Sequence, residues 1–124
     1  MKTRIALLVC VLSVASCAVA QGPSVKKDPK ELAALSKLEK QRNAAKAQYF
    51  KHETATTRQS FVTLNDHLAN DTMMAQSLSP REKYTKALRL YRYSLKVDPH
   101  DAEASKWVSE IERIYKSMGR PIPK

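Results

Sequence analysis

Glycine is almost missing from this sequence: 124 residues contain only Gly22 and Gly119. Tight hairpins need residues at positive φ, a role that falls mostly to Gly and Asn, so a turn-rich β-sandwich or barrel is excluded. Neither G-x-G-x-x-G nor G-x-x-x-x-G-K can be written with two glycines, which removes the phosphate-cradling loops. Cysteine is equally scarce, with Cys10 and Cys17 both close to the N-terminus. The three histidines, His52, His67 and His100, do not have the i,i+4 spacing of a helical metal pair. No Ser–His–acid set has a local signature, and nothing places Glu53 and Asp66 around a pocket as an acid/base pair. These absences point to a non-enzymatic chain with no cofactor and no metal.

What is present begins with a leader. Met1-Lys2-Thr3-Arg4 is basic, Ile5 to Leu12 is an unbroken apolar run, and Ser13, Ala15, Ser16, Ala18 and Ala20 follow. This is the order of a secretory signal peptide, and it predicts export to the periplasm or the extracellular space. The run is far below the ~20 apolar residues that span a bilayer, so no transmembrane span is expected in the mature chain. Two processing sites compete. Ala18-Val19-Ala20 before Gln21 fits ordinary signal peptidase, giving a leader of residues 1–20. Val14-Ala15-Ser16-Cys17 resembles a bacterial lipobox, giving a leader of residues 1–16 and a lipidated Cys17. Under either reading no thiol is left for disulfides, thiol catalysis or metal ligation, so the domain is held by packing.

Residues 21–28 (QGPSVKKD) read as a flexible tether. A helical domain is expected over residues 29–119, followed by a short tail at 120–124. Asp28-Pro29-Lys30-Glu31 and Ser79-Pro80-Arg81-Glu82 have N-cap, Pro at N1 and Glu at N3, a strong pair of helix starts. Leu32, Leu35, Leu38, Arg42, Ala45 and Tyr49 share one face, and the period continues through Thr57, Phe61, Leu64 and Leu68. Whether residues 30–69 form one helix or a hairpin is open, with Asn70-Asp71 the first plausible break. Met73-Met74 reads as core filling. Asp98-Pro99 ends the helix begun at Pro80, and Asp101 is the expected N-cap of a last helix. That helix carries Ala104, Trp107, Val108, Ile111, Ile114, Tyr115 and Met118 as an apolar stripe, with Gly119 at its C′ position. No strand pattern occurs, so the fold class is all-α, with three to four helices.

The stretch YTKALRLYRYSLKVDPHDAEA resembles the second helix of a tetratricopeptide repeat and the start of the next unit. Tyr84, Ala87, Tyr91, Ser94 and Pro99 match the family's aromatic, small and proline places, and Leu88 and Leu95 its accompanying apolar ones. The preceding helix would carry the repeat's other places at Asp71, Met74, Ala75 and Leu78, a weak match. The resemblance implies α–α hairpins and partner binding in a groove between stacked helices.

Charge is uneven. The full chain carries +10, and loss of Lys2 and Arg4 with the leader leaves +8. Residues 26–52 and 80–97 each carry +5, whereas 53–79 and 98–118 each carry −2. Arg81, Arg89, Arg92 and Lys96 are candidates for a surface that meets an acidic partner. Pairs are also expected at His67–Asp71, Glu82–Lys86 and Glu112–Lys116. Two functions follow as expectations. One is an exported interaction module whose partner is another envelope protein or peptide. The other is a basic binder of the anionic envelope surface, with or without an anchor at Cys17. Export argues against nucleic acid as the natural target.

Overall fold

The computed structural model describes residues 24–124. The expected leader, Cys17 and the first residues of the expected tether lie outside that range. Four helices follow in order: α1 (Pro29–Lys51), α2 (Ala55–Met74), α3 (Pro80–Val97) and α4 (Ala102–Ser117). There is no strand among the described residues, so the all-α class stands.

The caps show why the helices start where they do. Asp28 accepts from the Lys30 N–H, and Ser79 and Glu82 form a reciprocal capping box. Asp101 accepts from the N–H groups of both Glu103 and Ala104. Gly119, at φ +62°, lets the α4 C-terminus close with Gly119 N–H on the Lys116 carbonyl and Arg120 N–H on that of Tyr115. This is the Schellman pattern, and it needs the left-handed conformation that Gly adopts without a Cβ clash.

Residues 30–69 are a hairpin. The break falls at His52–Thr54 and has neither Gly nor Pro. Thr54 caps α2 with its hydroxyl, and Thr57 returns the bond to the Thr54 N–H (3.0 Å) and donates to the His52 carbonyl (2.6 Å). Asn70-Asp71 is no break: α2 runs through it to Met74.

Consecutive helices pack antiparallel: α2 packs against both α1 and α3, and α4 packs against α3. It follows that α1 and α3 run parallel, side by side. The core contains Leu38 from α1, Leu68, Ala69 and Met73 from α2, Ala87, Leu88 and Tyr91 from α3, and Ala104, Ile111 and Tyr115 from α4. Aromatic rings extend it. Phe61 meets Tyr93 edge-on at 5.7 Å and Tyr91 stacks on Trp107 at 6.4 Å. The link between α2 and α3 is tied to the start of α1. Glu31 accepts from the N–H groups of Gln76 (2.9 Å) and Ser77 (2.7 Å), and Ser77 accepts from the Asp28 N–H (2.8 Å).

Candidate docking surface

Two features stand out: a polar seam inside the helices and a basic, aromatic trough outside them. The seam begins at Asn65, fully buried on α2. Its Oδ1 accepts from Arg42 Nε of α1 (2.7 Å), and its Nδ2 donates to the Leu90 carbonyl (2.6 Å) and Ser94 Oγ (2.8 Å) of α3. One side chain thus joins three helices, and all its main polar atoms are satisfied. Ser94 in turn donates to Asp66. Asp66 is buried, and its pKa is pushed up to about 8, first by burial and then by a hydrogen bond with Asp101 at the α4 cap. It lies beneath a cleft of about 460 Å³ whose rim carries Asp98, Asp101 and Glu103.

The trough lies between the parallel helices α1 and α3. Its upper part, about 560 Å³, is lined by Leu32, Leu35 and Leu78 together with Glu39, Arg81 and Lys86. It leads into a slot of about 370 Å³ among Arg42, Lys86, Arg89, Leu90 and Tyr93. Arg42 is half-buried, with its guanidinium carbon 5.3 Å from the centre of the Phe61 ring and 5.6 Å from that of Tyr93. Burial lowers its pKa from the usual arginine value, and the nearby Tyr93 and Glu39 partly oppose that. Lys46 places its ammonium 4.7 Å from the Tyr93 ring centre. On this face Glu39 is engaged by Lys86 at 3.2 Å. Arg42, Lys46 and Arg89 have no carboxylate partner among the described residues.

The structure sorts the residues singled out from the sequence. Ala87, Leu88, Tyr91 and Ser94 are buried, Tyr84 and Leu95 half-buried, and Pro99 is exposed in the α3–α4 turn. All but Pro99 are packing residues. The weakly matching places Asp71, Met74, Ala75 and Leu78 fall on the end of α2 and on the following link rather than within one helix. Of the four basic residues, Arg81, Arg89 and Lys96 are exposed. Arg92 is drawn inward: it donates to Glu112 (3.0 Å) and to the Pro123 carbonyl (2.6 Å). That contact replaces the expected Glu112–Lys116 pair, and Lys86–Glu39 replaces Glu82–Lys86, because Glu82 is committed to the Ser79 cap. His67 and Asp71 do pair, at 3.5 Å on an exposed face. Trp107 is half-buried and Met118 half-exposed, so the α4 stripe is narrower than its sequence implies.

Sequence reasoning missed Arg42, Lys46 and Tyr93 as one group, and the buried set Asn65, Asp66 and Ser94. The spacing of Arg42, Lys46 and Phe50, four apart, held a signal for the first. No grouping of His, Cys, Asp and Glu suited to a metal ion occurs among the described residues. No described helix is long and apolar enough to cross a membrane. Comparison with protein-family models, curated proteins and solved structures found no match.

Proposed function

We propose that this chain is a non-enzymatic, exported interaction module of the bacterial envelope, built from tetratricopeptide-like helical hairpins. The observation that carries the reading is the trough between α1 and α3. It joins half-buried leucines to unpaired cations on two helices held rigidly by the Asn65 seam. Preorganised side chains on helices suit recognition, because little conformational entropy is lost on binding. Its partner is another envelope protein or peptide. Affinity capture from the native envelope tests this: a partner lost when Arg89→Gln is used as bait supports the trough, and one retained unchanged removes it.

A second reading, a basic binder of the envelope surface, is favoured by a separate observation. Phe50, 56% exposed, stands beside Lys46 and Lys51. Salt separates the two readings, because exposed charges are screened over ~8 Å at physiological ionic strength. Lipidation at Cys17 would add an anchor. Intact mass decides it: a chain beginning at Gln21 removes the anchor.

A further inference from the structure

Arg42, Lys46 and Phe50 follow one another at four-residue steps on α1, and so lie along one line of that helix. Lys86, Arg89 and Tyr93 form the facing line on α3, and the Lys86–Glu39 contact at 3.2 Å fixes the two in register. Three properties coincide there. The cations Arg42, Lys46 and Arg89 have no acid among the described residues. Arg42 and Lys46 lie against the Tyr93 ring, and Arg42, Lys86 and Arg89 line a slot of about 370 Å³ beside it. At the end of the line an aromatic side chain projects, Phe50 at 56% exposure, with the Lys46 ammonium 5.9 Å from its ring centre.

We infer that this α1/α3 face docks on an anionic phospholipid surface, with a lipid phosphate in the Arg42–Lys86–Arg89 slot and Phe50 entering the headgroup layer. The inference rests on the envelope-surface reading above and gives it a location and a ligand. Charge complementarity selects the anion. Arg42 presents a guanidinium already stripped of part of its water and held by Asn65 and Asn43 (2.7 and 2.8 Å), so little ordering remains when a phosphate arrives. Phe50 selects a lipid surface over an acidic protein. An exposed aromatic flanked by lysines is the composition that settles at a membrane interface, with the ring at headgroup depth and the ammonium groups on the phosphates. The acidic cleft, with Asp98, Asp101 and Glu103 around it, would be repelled by the same surface. The charge distribution therefore orients the protein as well as attracting it.

The test uses the chain as the producing cell processes it. Its binding is measured by co-sedimentation with vesicles of phosphatidylcholine alone, and with vesicles of phosphatidylcholine and phosphatidylglycerol at about two to one. Preferential binding to the second, released as salt rises toward about 0.5 M, is expected. Arg89→Gln, at an exposed position, should weaken that binding about fivefold, and Phe50→Ser should weaken it at unchanged thermal stability. Lys116→Gln, which removes the same charge from exposed α4, should leave it nearly unchanged. Equal losses for Arg89→Gln and Lys116→Gln would overturn the docking face while leaving a diffuse envelope-surface binder. Equal binding to both vesicle types would overturn the face and that reading together. Binding to soluble polyglutamate without binding to anionic vesicles would overturn the lipid assignment in favour of an acidic polypeptide.

Discussion

At the scale of single residues, the buried carboxyl of Asp66 is the most consequential group. From α3 it meets the hydroxyl of Ser94, with Asp98 further along. From the start of α4 come Asp101 and Glu103, and from its own helix His67 lines the same cleft. Its pKa is raised from 3.8 to about 8, so between those values the folded chain binds a proton that the unfolded chain does not. Stability therefore falls as pH rises from about 4 toward about 8, and this contribution is flat above that. The proton also resolves an orphan: Asp101 Oδ2 is buried with no partner among the described residues unless a protonated Asp66 donates to it. Asp66→Asn keeps the shape and removes the titration. Thermal unfolding between pH 5 and 8 should then lose most of its downward slope, with the variant at least as stable as the natural chain at the alkaline end. A slope that persists unchanged in Asp66→Asn would show that the group titrates elsewhere. Tyr91 offers a second case. It is fully buried, and its hydroxyl has no hydrogen-bond partner among the described residues. Burial and the surrounding acids raise its pKa, keeping it neutral. Tyr91→Phe keeps the ring stacked on Trp107 and deletes the orphan group, so it should be neutral or stabilising by up to about 1 kcal/mol. A loss of more than that in chemical denaturation would mean that the hydroxyl has a partner.

At the scale of elements, three helix starts were legible because each is written in local chemistry: Asp28-Pro29, Ser79-Pro80 with Glu82, and Asp101. Gly119 was legible for the same reason, since few residues other than Gly sit comfortably at that φ. The α1–α2 break was not legible. Turn prediction leans on Gly and Pro, and Thr54, Thr56 and Thr57 are by propensity only weak helix formers. Their real role is reciprocal: Thr57 stands at N3, where a capping box usually has Glu or Gln, and its short side chain returns the bond to Thr54. Asn70-Asp71 misled in the opposite way. Both residues favour turns in isolation, but α2 continues through them because its other face buries Leu68, Ala69, Thr72 and Met73. The basic residues of α3 were visible as a set, but their division was not. Whether a cation faces solvent or a neighbouring helix depends on the crossing partner, and only the packing of α4 shows that Arg92 meets Glu112. The cap gives a direct test. Thr54→Ala removes the N-cap oxygen and should lower stability by about 1 kcal/mol, read as a Tm several degrees lower. Thr54→Ser, which retains the oxygen, should recover most of it. If both variants match the natural chain, the corner is set by the packing of Phe61 and Tyr49 rather than by the cap.

At the scale of the whole molecule, the helices form a series in which α4 is the outermost member and packs on α3. An end helix packed mainly on one neighbour is the first to separate in such a series, and the C-terminal segment counters this. After the turn at Gly119 the chain doubles back. Ile122 packs against the core, and the Pro123 carbonyl accepts from Arg92, whose other nitrogen holds Glu112 of α4. The tail thus straps α4 to α3 through one guanidinium. Removing residues 121–124 leaves the Arg120 N–H in place to close the α4 turn, so the cut isolates the strap. It should cost about 1–2 kcal/mol, from the apolar surface of Ile122 and one charge-assisted hydrogen bond. Arg92→Gln alone should cost a similar amount. The decisive measurement is the double variant in urea unfolding. If the guanidinium is the link, the two losses must overlap, and their combination should fall short of the sum by at least about 0.5 kcal/mol. Full additivity would mean that the tail and Arg92 stabilise the chain separately. In that case α4 would be held by its own apolar stripe, Ala104, Ile111 and Tyr115, with no contribution from the strap.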